Sequence, residues 1–156
     1  MMNTLYSRAR RQFLALLLAT ACSTAAAEPI DRELLGEPTH KVVYQLNKAD
    51  ADYINSVLFS AGELLRRYGD DIHIVITAIG PGIHLIGKQP GRPIDAEART
   101  RAASLAAYGV EFHACGNTMK SLNWTAADLL DYATIVDIGV DDLMRLQEQG
   151  YAYISW

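Results

Sequence analysis

Apolar residues along this chain fall into two patterns, short continuous runs and longer stretches with helical spacing. The short runs are rich in valine, isoleucine and aromatic residues, a composition typical of buried β-strands. Such runs occur at residues 41–46, 72–79, 110–114, 134–138 and 151–154. The pattern therefore predicts five strands.

The stretches between these runs predict helices. Asp50 is a suitable N-cap for a helix that carries apolar residues at helical spacing and ends before Gly69. Further helices are predicted at residues 95–108, 125–132 and 140–149. Thr125 and Asp128 predict a capping box for the helix at 125–132. Residues 83–93 contain two prolines and two glycines and predict a loop.

The predicted strands and helices alternate with short connections, and the sequence has no internal repeat or low-complexity tract. Alternation of this kind favours a parallel sheet that is covered by helices. We predict an α/β protein with a single domain at residues 40–156. Its five-stranded, mainly parallel sheet should carry helices on both faces, and residues 28–39 predict an irregular lead-in.

The first 27 residues have the pattern of a signal peptide. Arginines at positions 8, 10 and 11 precede an uncharged, largely apolar run at residues 13–27, which ends in three alanines. This run is shorter than the roughly 20 residues of a membrane span. We predict that residues 1–27 are removed and that the remaining chain is periplasmic.

The leader also bears on the export route. Arg10 and Arg11, followed by Gln12-Phe13-Leu14, are similar to the twin-arginine export motif. The general secretory route is the alternative, and the motif favours the twin-arginine route. Ala19 stands where a lipoprotein would carry leucine three residues before Cys22, so lipoprotein anchoring is not expected.

Net charge and cysteine count limit the possible partners of the chain and the possible roles of its cysteine. Loss of the leader removes three of 14 basic residues and none of the 18 acidic ones, so the formal charge changes from −4 to −7. An acidic domain without a basic run suits neither nucleic acid nor an anionic membrane, and neither is predicted as a partner. After removal of the leader, Cys115 is the one cysteine that remains. It is packed, paired between chains or used in chemistry.

Two segments predict a ligand site at the carboxyl ends of the strands, where parallel sheets usually bind ligands. Gly80-Pro81-Gly82 follows the second strand, and Cys115-Gly116-Asn117-Thr118 follows the third. Backbone N–H groups beyond a strand end stabilise a thiolate and lower the pKa of a cysteine, so Cys115 is the predicted nucleophile. The neighbouring residues of both segments, and His113 on the strand face of Cys115, are the predicted ligand-binding residues.

Other interpretations of Cys115 stay open. A lone cysteine is often a small core residue. His113, Cys115 and Met119 together offer the nitrogen and sulfur ligands that suit copper, although their spacing is not diagnostic. We predict no resident metal or cofactor, because the histidines lack metal-type spacing and the chain has no dinucleotide glycine signature.

Several stretches, in order along residues 41–154, resemble the DsrE/DsrF-like family. They are the strand at residues 41–46, Gly80-Pro81-Gly82, the sequence ACGNTM at residues 114–119 and the segment at residues 140–154. The resemblance implies an α/β fold with a five-stranded sheet and assembly into homotrimers or homohexamers. It also implies that Cys115 matches the sulfur-carrying cysteine of the family, which accepts a persulfide sulfur and hands it on.

The resemblance thus implies sulfur handling, with Cys115 as persulfide carrier or sulfurtransferase nucleophile. The implied partner is a sulfur donor or acceptor protein, or a small sulfur compound. Two features differ from the cytoplasmic relay members, which tend to carry Arg-Arg-Gly where this chain has Lys120-Ser121-Leu122, and which lack a leader. The alternative function is a non-catalytic periplasmic oligomer that binds a small ligand or copper at the same place.

Overall fold

The computed structural model describes residues 36–156. The predicted leader at residues 1–27 and most of the predicted lead-in at residues 28–39 lie outside the described residues. Within residues 36–156, no helix is both long and apolar enough to cross a membrane.

Strands and helices alternate through the described part of the chain. The strands are β1 (His40–Leu46), β2 (Ile72–Ala78), β3 (Glu111–Cys115), β4 (Ala133–Val136) and β5 (Ala152–Ile154). The α-helices are α1 (Ala51–Tyr68), α2 (Ala96–Ala107), α3 (Gly116–Leu122) and α4 (Gly139–Glu148). Short 3₁₀ helices occupy Gly69–Asp71, Gly80–Ile86 and Ala126–Asp128.

The strands form one sheet in the order β4-β3-β2-β1-β5, and all neighbouring pairs are parallel. The predicted α/β architecture is therefore confirmed, with every pairing parallel. Because the strands run in the same direction, their carboxyl ends meet at a single edge. The segments that follow β2, β3 and β4 lie side by side there, since these three strands are neighbours.

Helices cover both faces of the sheet, as predicted. Tyr44 of β1 points into a main core that also contains Ile54 of α1 and buried residues of α2. The preceding Val43 points to the opposite face, into a smaller core with Leu143 and Leu146 of α4. Complete burial of such an aliphatic side chain contributes about 1.5–3 kcal/mol. Both leucines are more than nine-tenths buried, so they hold α4 against the sheet.

The ends of the first long helix follow from its sequence. Asp50 is the N-cap, and its side chain accepts a hydrogen bond of 3.0 Å from the backbone N–H of Tyr53. The helix ends at Gly69, which adopts a φ of 57°. Only glycine takes this backbone region without strain, so both predicted ends of α1 are confirmed.

The segment after β2 differs from the predicted loop in its first half. Residues 80–86 form a 3₁₀ helix, and Ile83, Leu85 and Ile86 are fully buried within it. Burial of three apolar side chains outweighs the weak local preference of this glycine- and proline-containing stretch. The segment is therefore packed into the domain rather than solvated.

The predicted helix at residues 125–132 is wrong beyond its first turn. Thr125 and Asp128 form the predicted capping box, but the turn that it caps is a 3₁₀ helix of three residues. Leu129, which is 3% exposed, then adopts an extended conformation and pairs with Gly87. Backbone hydrogen bonds to the segment around Gly87 replace the helical ones. Pairing with a distant segment, rather than local helix preference, thus sets the conformation of this segment.

Candidate functional site

The two segments predicted to form a site meet at the carboxyl edge of the sheet. Cys115 is the last residue of β3, and Gly80 lies two residues beyond β2. They line a cavity of about 470 Å³, whose wall also carries Pro81, Asn117 and Thr118. The structure brings these five predicted site residues together.

The thiol of Cys115 is nearly buried, with 4% of the residue exposed, and it accepts a hydrogen bond from the start of α4. The backbone N–H of Gly139, the first residue of α4, donates to Sγ at 3.2 Å. Burial raises the pKa of Cys115, but the nearby Thr118 hydroxyl and three backbone N–H groups favour the charged form, outweigh burial and lower the pKa. The backbone donors are Thr118, Gly139 and Asn117. Donors of this kind stabilise the thiolate, which is the nucleophilic form.

Thr118 connects the two segments of the site. The backbone N–H of Gly80 donates to Thr118 Oγ1 at 2.9 Å. A hydroxyl that accepts one hydrogen bond still has its own hydrogen to donate, and this hydroxyl lowers the pKa of Cys115. The residue after β2 therefore orients the side-chain donor at the end of β3.

Gly139 allows the start of α4 to approach the sulfur. A Cβ at this position would lie 2.7 Å from Ile79 Cγ1 and 3.0 Å from Cys115 Cβ. Any side chain here would push α4 away from the sheet edge and lengthen the contact between its N–H and Sγ. The absence of a side chain is thus a requirement of the thiolate environment.

Two predicted ligand-binding glycines lie beside the cavity rather than on its wall. A Cβ on Gly82 would lie 2.0 Å from the carbonyl oxygen of Leu46, and one on Gly116 would lie 3.0 Å from that of Asp137. Both glycines allow close packing of the backbone against the ends of neighbouring strands. Their contribution to the site is to position the wall residues that follow them.

His113, two residues before Cys115, is engaged away from the cavity and does not line it. Its Nδ1 lies 2.9 Å from Asp142 Oδ2, and its Nε2 lies 3.5 Å from Glu111 Oε2. Burial lowers the pKa of His113, but the two carboxylates outweigh burial and raise it to about 9. At neutral pH the ring is therefore protonated and has no free nitrogen with which to act as a base.

Asp142 fixes the first turn of α4 to the sheet. It accepts a hydrogen bond of 2.8 Å from the Thr77 hydroxyl of β2 and faces His113 Nδ1 of β3 at 2.9 Å. Gly139 begins the same helix, so these contacts hold its N–H near the sulfur. His113 is in this way a positioning residue for the thiol rather than a partner of the ligand.

The geometry gives no support to a copper site at Cys115. Met119 is buried in the main core, His113 faces carboxylates, and neither residue lines the cavity. Among residues 36–156, no cluster of three histidine, cysteine, aspartate or glutamate side chains has the arrangement of a metal site.

Comparison with known families identifies the family to which the chain belongs. A model of the DsrE/DsrF-like family matches residues 10–156. The chain belongs to the DsrE/DsrF-like family. The matched region includes the whole sheet and both segments of the candidate site. No curated protein matches the chain in sequence.

Solved structures share the fold of this DsrE/DsrF-like protein. The protein of unknown function MTH1491 from Methanobacterium thermoautotrophicum is 25% identical, with a TM-score of 0.67 over 75% of this chain and 99% of its own. The ychN protein from E. coli is 13% identical, with a TM-score of 0.62 over 75% and 99% of the two chains. BT1422 from Bacteroides thetaiotaomicron, of unknown function, is 18% identical, with a TM-score of 0.59 over 74% and 94%.

The sequence analysis of this DsrE/DsrF-like protein missed several wall residues. His84 and Arg92 line the cavity, as do Ile138, Gly139 and Val140 around the start of α4. The position of Ile138, Gly139 and Val140 could have been predicted from the order of the strands. Residues after β4 meet those after β3 if the two strands are neighbours. His84 and Arg92 follow Gly80-Pro81-Gly82 closely, but the interpretation of their segment as a solvated loop hid them.

Proposed function

We propose that this protein is an exported DsrE-like sulfur carrier, in which Cys115 acts as persulfide carrier or sulfurtransferase nucleophile. The observation that carries the proposal is the hydrogen bond of 3.2 Å from the N–H of Gly139 to Sγ, beside a Thr118 hydroxyl that also lowers the pKa of Cys115. They favour the thiolate, the form that attacks a sulfur–sulfur bond. Membership of the DsrE/DsrF-like family supports the same chemistry.

The proposed step is an exchange between sulfur atoms. The thiolate of Cys115 attacks the outer sulfur of a donor persulfide, and a new bond forms between Sγ and that sulfur. The bond between the outer and inner sulfurs of the donor breaks, and the donor leaves as a thiolate. The exchange needs no oxidant. The added sulfur extends into the cavity that Asn117 and Thr118 line.

Mass spectrometry of the intact protein tests this proposal. Incubation with inorganic polysulfide should add a single sulfur that maps to Cys115 and is removed by reductant. The Cys115→Ser variant, which is nearly isosteric, should stay folded and take up no sulfur. A folded protein whose Cys115 reacts with iodoacetamide but never gains sulfur would contradict the proposal.

A second candidate is a non-catalytic small-ligand binding protein. The cavity of about 470 Å³ falls within the range of about 300–1,000 Å³ that is usual for small-ligand sites. Under this candidate, ligand binding persists in Cys115→Ser and no sulfur adduct forms. The same mass spectra therefore separate the two functions.

The proposal of export rests on the leader. The charged start, the apolar run and the three alanines at residues 25–27 support removal of residues 1–27 and a periplasmic location. N-terminal sequencing of the protein from a periplasmic fraction should begin at Glu28. A chain recovered from the cytoplasm with residues 1–27 intact would contradict export.

We further propose that the protein assembles into a homotrimer or homohexamer. Ile138, Val140 and Met144 are 44%, 60% and 50% exposed, and we call these three residues the apolar patch. Val140 and Met144 are four residues apart and share one side of α4. Clustered, exposed apolar side chains are typical of surfaces that bind another protein. Because Ile138 and Val140 also line the cavity, a second copy on the patch borders the sulfur site.

A further inference from the structure

The cavity beside Cys115 carries a cation that sulfur exchange alone does not require. Arg92 lines the wall, and its side chain makes no hydrogen bond or ion pair with any residue from 36 to 156. The other described arginines in the neighbourhood are engaged, since Arg99 donates to the Gly87 carbonyl at 2.7 Å and Arg101 to Glu97 at 2.9 Å. A guanidinium left without a partner at a cavity is suited to bind an anion.

His84 adds a second donor on the same wall. The residue is 5% exposed, and its Nδ1 accepts a hydrogen bond of 3.2 Å from the backbone N–H of Gly91. Burial and the charge of Arg92 lower its pKa, so the ring is neutral. In a neutral histidine whose Nδ1 is an acceptor, the proton lies on Nε2. His84 therefore has an Nε2–H donor.

This Nε2–H has no hydrogen-bond partner among residues 36–156. Asn47 Oδ1 and Tyr132 Oη are the buried side-chain atoms that lack a hydrogen bond within residues 36–156. Nε2 of His84 also lacks a hydrogen bond within these residues, but unlike those two atoms it is not enclosed by protein. Because His84 lines the cavity, an acceptor in the cavity can approach Nε2. A donor that is held in place by Gly91 and directed at open space can bind an acceptor from outside the chain.

Apart from the thiolate of Cys115 itself, the described part of the wall carries no group that would repel an anion. None of the described residues on it is an aspartate or a glutamate, and the side chains of Asn117 and Ser121 add further hydrogen-bond capacity. This contrasts with the net acidic composition of the chain, whose formal charge is −4. The cavity thus concentrates donors around Cys115 in an acidic protein.

We propose that the sulfur donor is a small oxyanion of the thiosulfate type, in which an outer sulfur is bonded to a sulfonyl group. This inference rests on the proposed role of Cys115. Arg92 and His84 hold the sulfonyl oxygens, and the outer sulfur faces Sγ. A guanidinium can donate a pair of hydrogen bonds to two oxygens of an oxyanion. A hydrosulfide leaving group has no oxygens and cannot accept such a pair.

The reaction balances without a further reactant. The thiolate of Cys115 attacks the outer sulfur of thiosulfate, and a bond forms between Sγ and that sulfur. The bond between the two sulfurs of thiosulfate breaks, and its electron pair leaves on sulfite. The product is the persulfide anion of Cys115, so the total charge and the number of electrons are unchanged.

Persulfide formation on Cys115 with two donors tests the inference. The rate with thiosulfate is compared with the rate with inorganic polysulfide, in the protein and in Arg92→Gln. We expect Arg92→Gln to slow uptake from thiosulfate by about tenfold or more, because a charge-assisted hydrogen bond is lost. Uptake from polysulfide should change by less than about threefold, since its leaving group has no oxygens. Sulfite should appear in step with the persulfide.

Two further variants serve as controls. Arg101→Gln removes the same charge from α2, outside the cavity wall, and should leave both rates unchanged. Arg92→Lys keeps the charge but not the planar fork, and should recover part of the thiosulfate rate.

The outcomes separate the inference from the proposed function. An equal effect of Arg92→Gln on both donors, or no effect on either, would overturn the oxyanion donor and leave the role of Cys115 intact. Uptake from polysulfide or from a protein persulfide, with none from thiosulfate, would do the same. Failure of Cys115 to take up sulfur from any donor would overturn the proposed function itself.

Discussion

Cys115 owes part of its chemical character to residues that lie far from it in sequence. The N–H of Gly139 comes from the start of α4, and the hydroxyl of Thr118 is oriented by Gly80, which follows β2. Neither contact is local to the strand that carries the thiol. The environment of the thiol is therefore a product of the sheet edge, where segments after β2, β3 and β4 converge.

The first prediction concerns the Thr118 hydroxyl. Thr118→Val keeps the shape of the side chain but removes a hydroxyl that lowers the pKa of Cys115, so this pKa should rise. The loss of an acceptor for the N–H of Gly80 should also lower the free energy of unfolding by about 1 kcal/mol. The rate of alkylation by iodoacetamide, measured across pH, reports the pKa directly. Thr118→Ser keeps the hydroxyl and should behave like the parent protein, whereas an unchanged profile in Thr118→Val would refute the role of this hydroxyl.

Which site residues the sequence can predict depends on how they reach the cavity. Cys115 and Thr118 are found because a parallel sheet places the residues after its strands at one edge. Arg92 is not found, because its position depends on the path of the segment after Ile86. That path is set by buried side chains and by pairing of Gly87 with Leu129, which no local pattern encodes.

At the level of the element, α4 is the part that completes the thiolate environment. Its apolar side packs through Leu143 and Leu146, while Asp142 in its first turn contacts Thr77 and His113. Polar contacts of this kind add direction to hydrophobic packing, which by itself does not fix the rotation of a helix. The ion pair between Asp142 and His113 thus sets where the N–H of Gly139 points.

The second prediction concerns the stability of this contact across pH. The pKa of His113 is raised from 6.5 to about 9 in the folded protein, so its ion pair stabilises the fold fully below about pH 6.5. This contribution is lost as pH rises through 9. Asp142→Asn should lower the free energy of unfolding by about 1–3 kcal/mol near pH 6 and by less near pH 10. Urea unfolding at a series of pH values measures the difference.

A neighbouring residue supplies the matched control. Asp141→Asn removes the same charge from the same helix turn, but Asp141 pairs with the exposed Arg145 at 2.7 Å. Exposed pairs of this type contribute about 0.3–0.5 kcal/mol, so little change is expected at any pH. Equal losses in the two variants, or a loss in Asp142→Asn that does not depend on pH, would contradict an ionic role for Asp142.

The sequence predicts elements well where one pattern dominates and less well where two compete. Asp50 and Gly69 delimit α1 because capping and apolar periodicity agree over eighteen residues. The capping box of Thr125 and Asp128 is real, yet the helix stops after one turn. Burial of Leu129 in the core outweighs the few helical hydrogen bonds that a short helix would gain.

At the scale of the whole molecule, the site and the proposed assembly surface share residues. Ile138 and Val140 belong to the apolar patch and to the cavity wall, and Met144 extends the patch along α4. A copy bound on the patch would narrow the mouth of the cavity and limit access to Cys115. The proposed assembly and the proposed sulfur chemistry would in this way share one surface.

The third prediction tests the apolar patch. Met144→Lys places a charge where an apolar contact is proposed, so the oligomer should dissociate, as measured by native mass spectrometry. Tyr108→Lys is the control, because Tyr108 is 71% exposed and lies at the end of α2, outside the patch. Dissociation in Tyr108→Lys alone, or an unchanged oligomer in Met144→Lys, would place the interface elsewhere.

The hydrogen bond between Gly139 and Cys115 also has a consequence for timing. Its two residues are 24 positions apart, so an incomplete or unfolded chain lacks this donor and carries an ordinary, slowly reacting thiol. The proposed sulfur chemistry would therefore begin only when folding is complete. A chain exported unfolded would cross the membrane with an unreactive thiol. A chain exported folded would carry the reactive thiolate while it is still exposed to sulfur compounds of the cytoplasm.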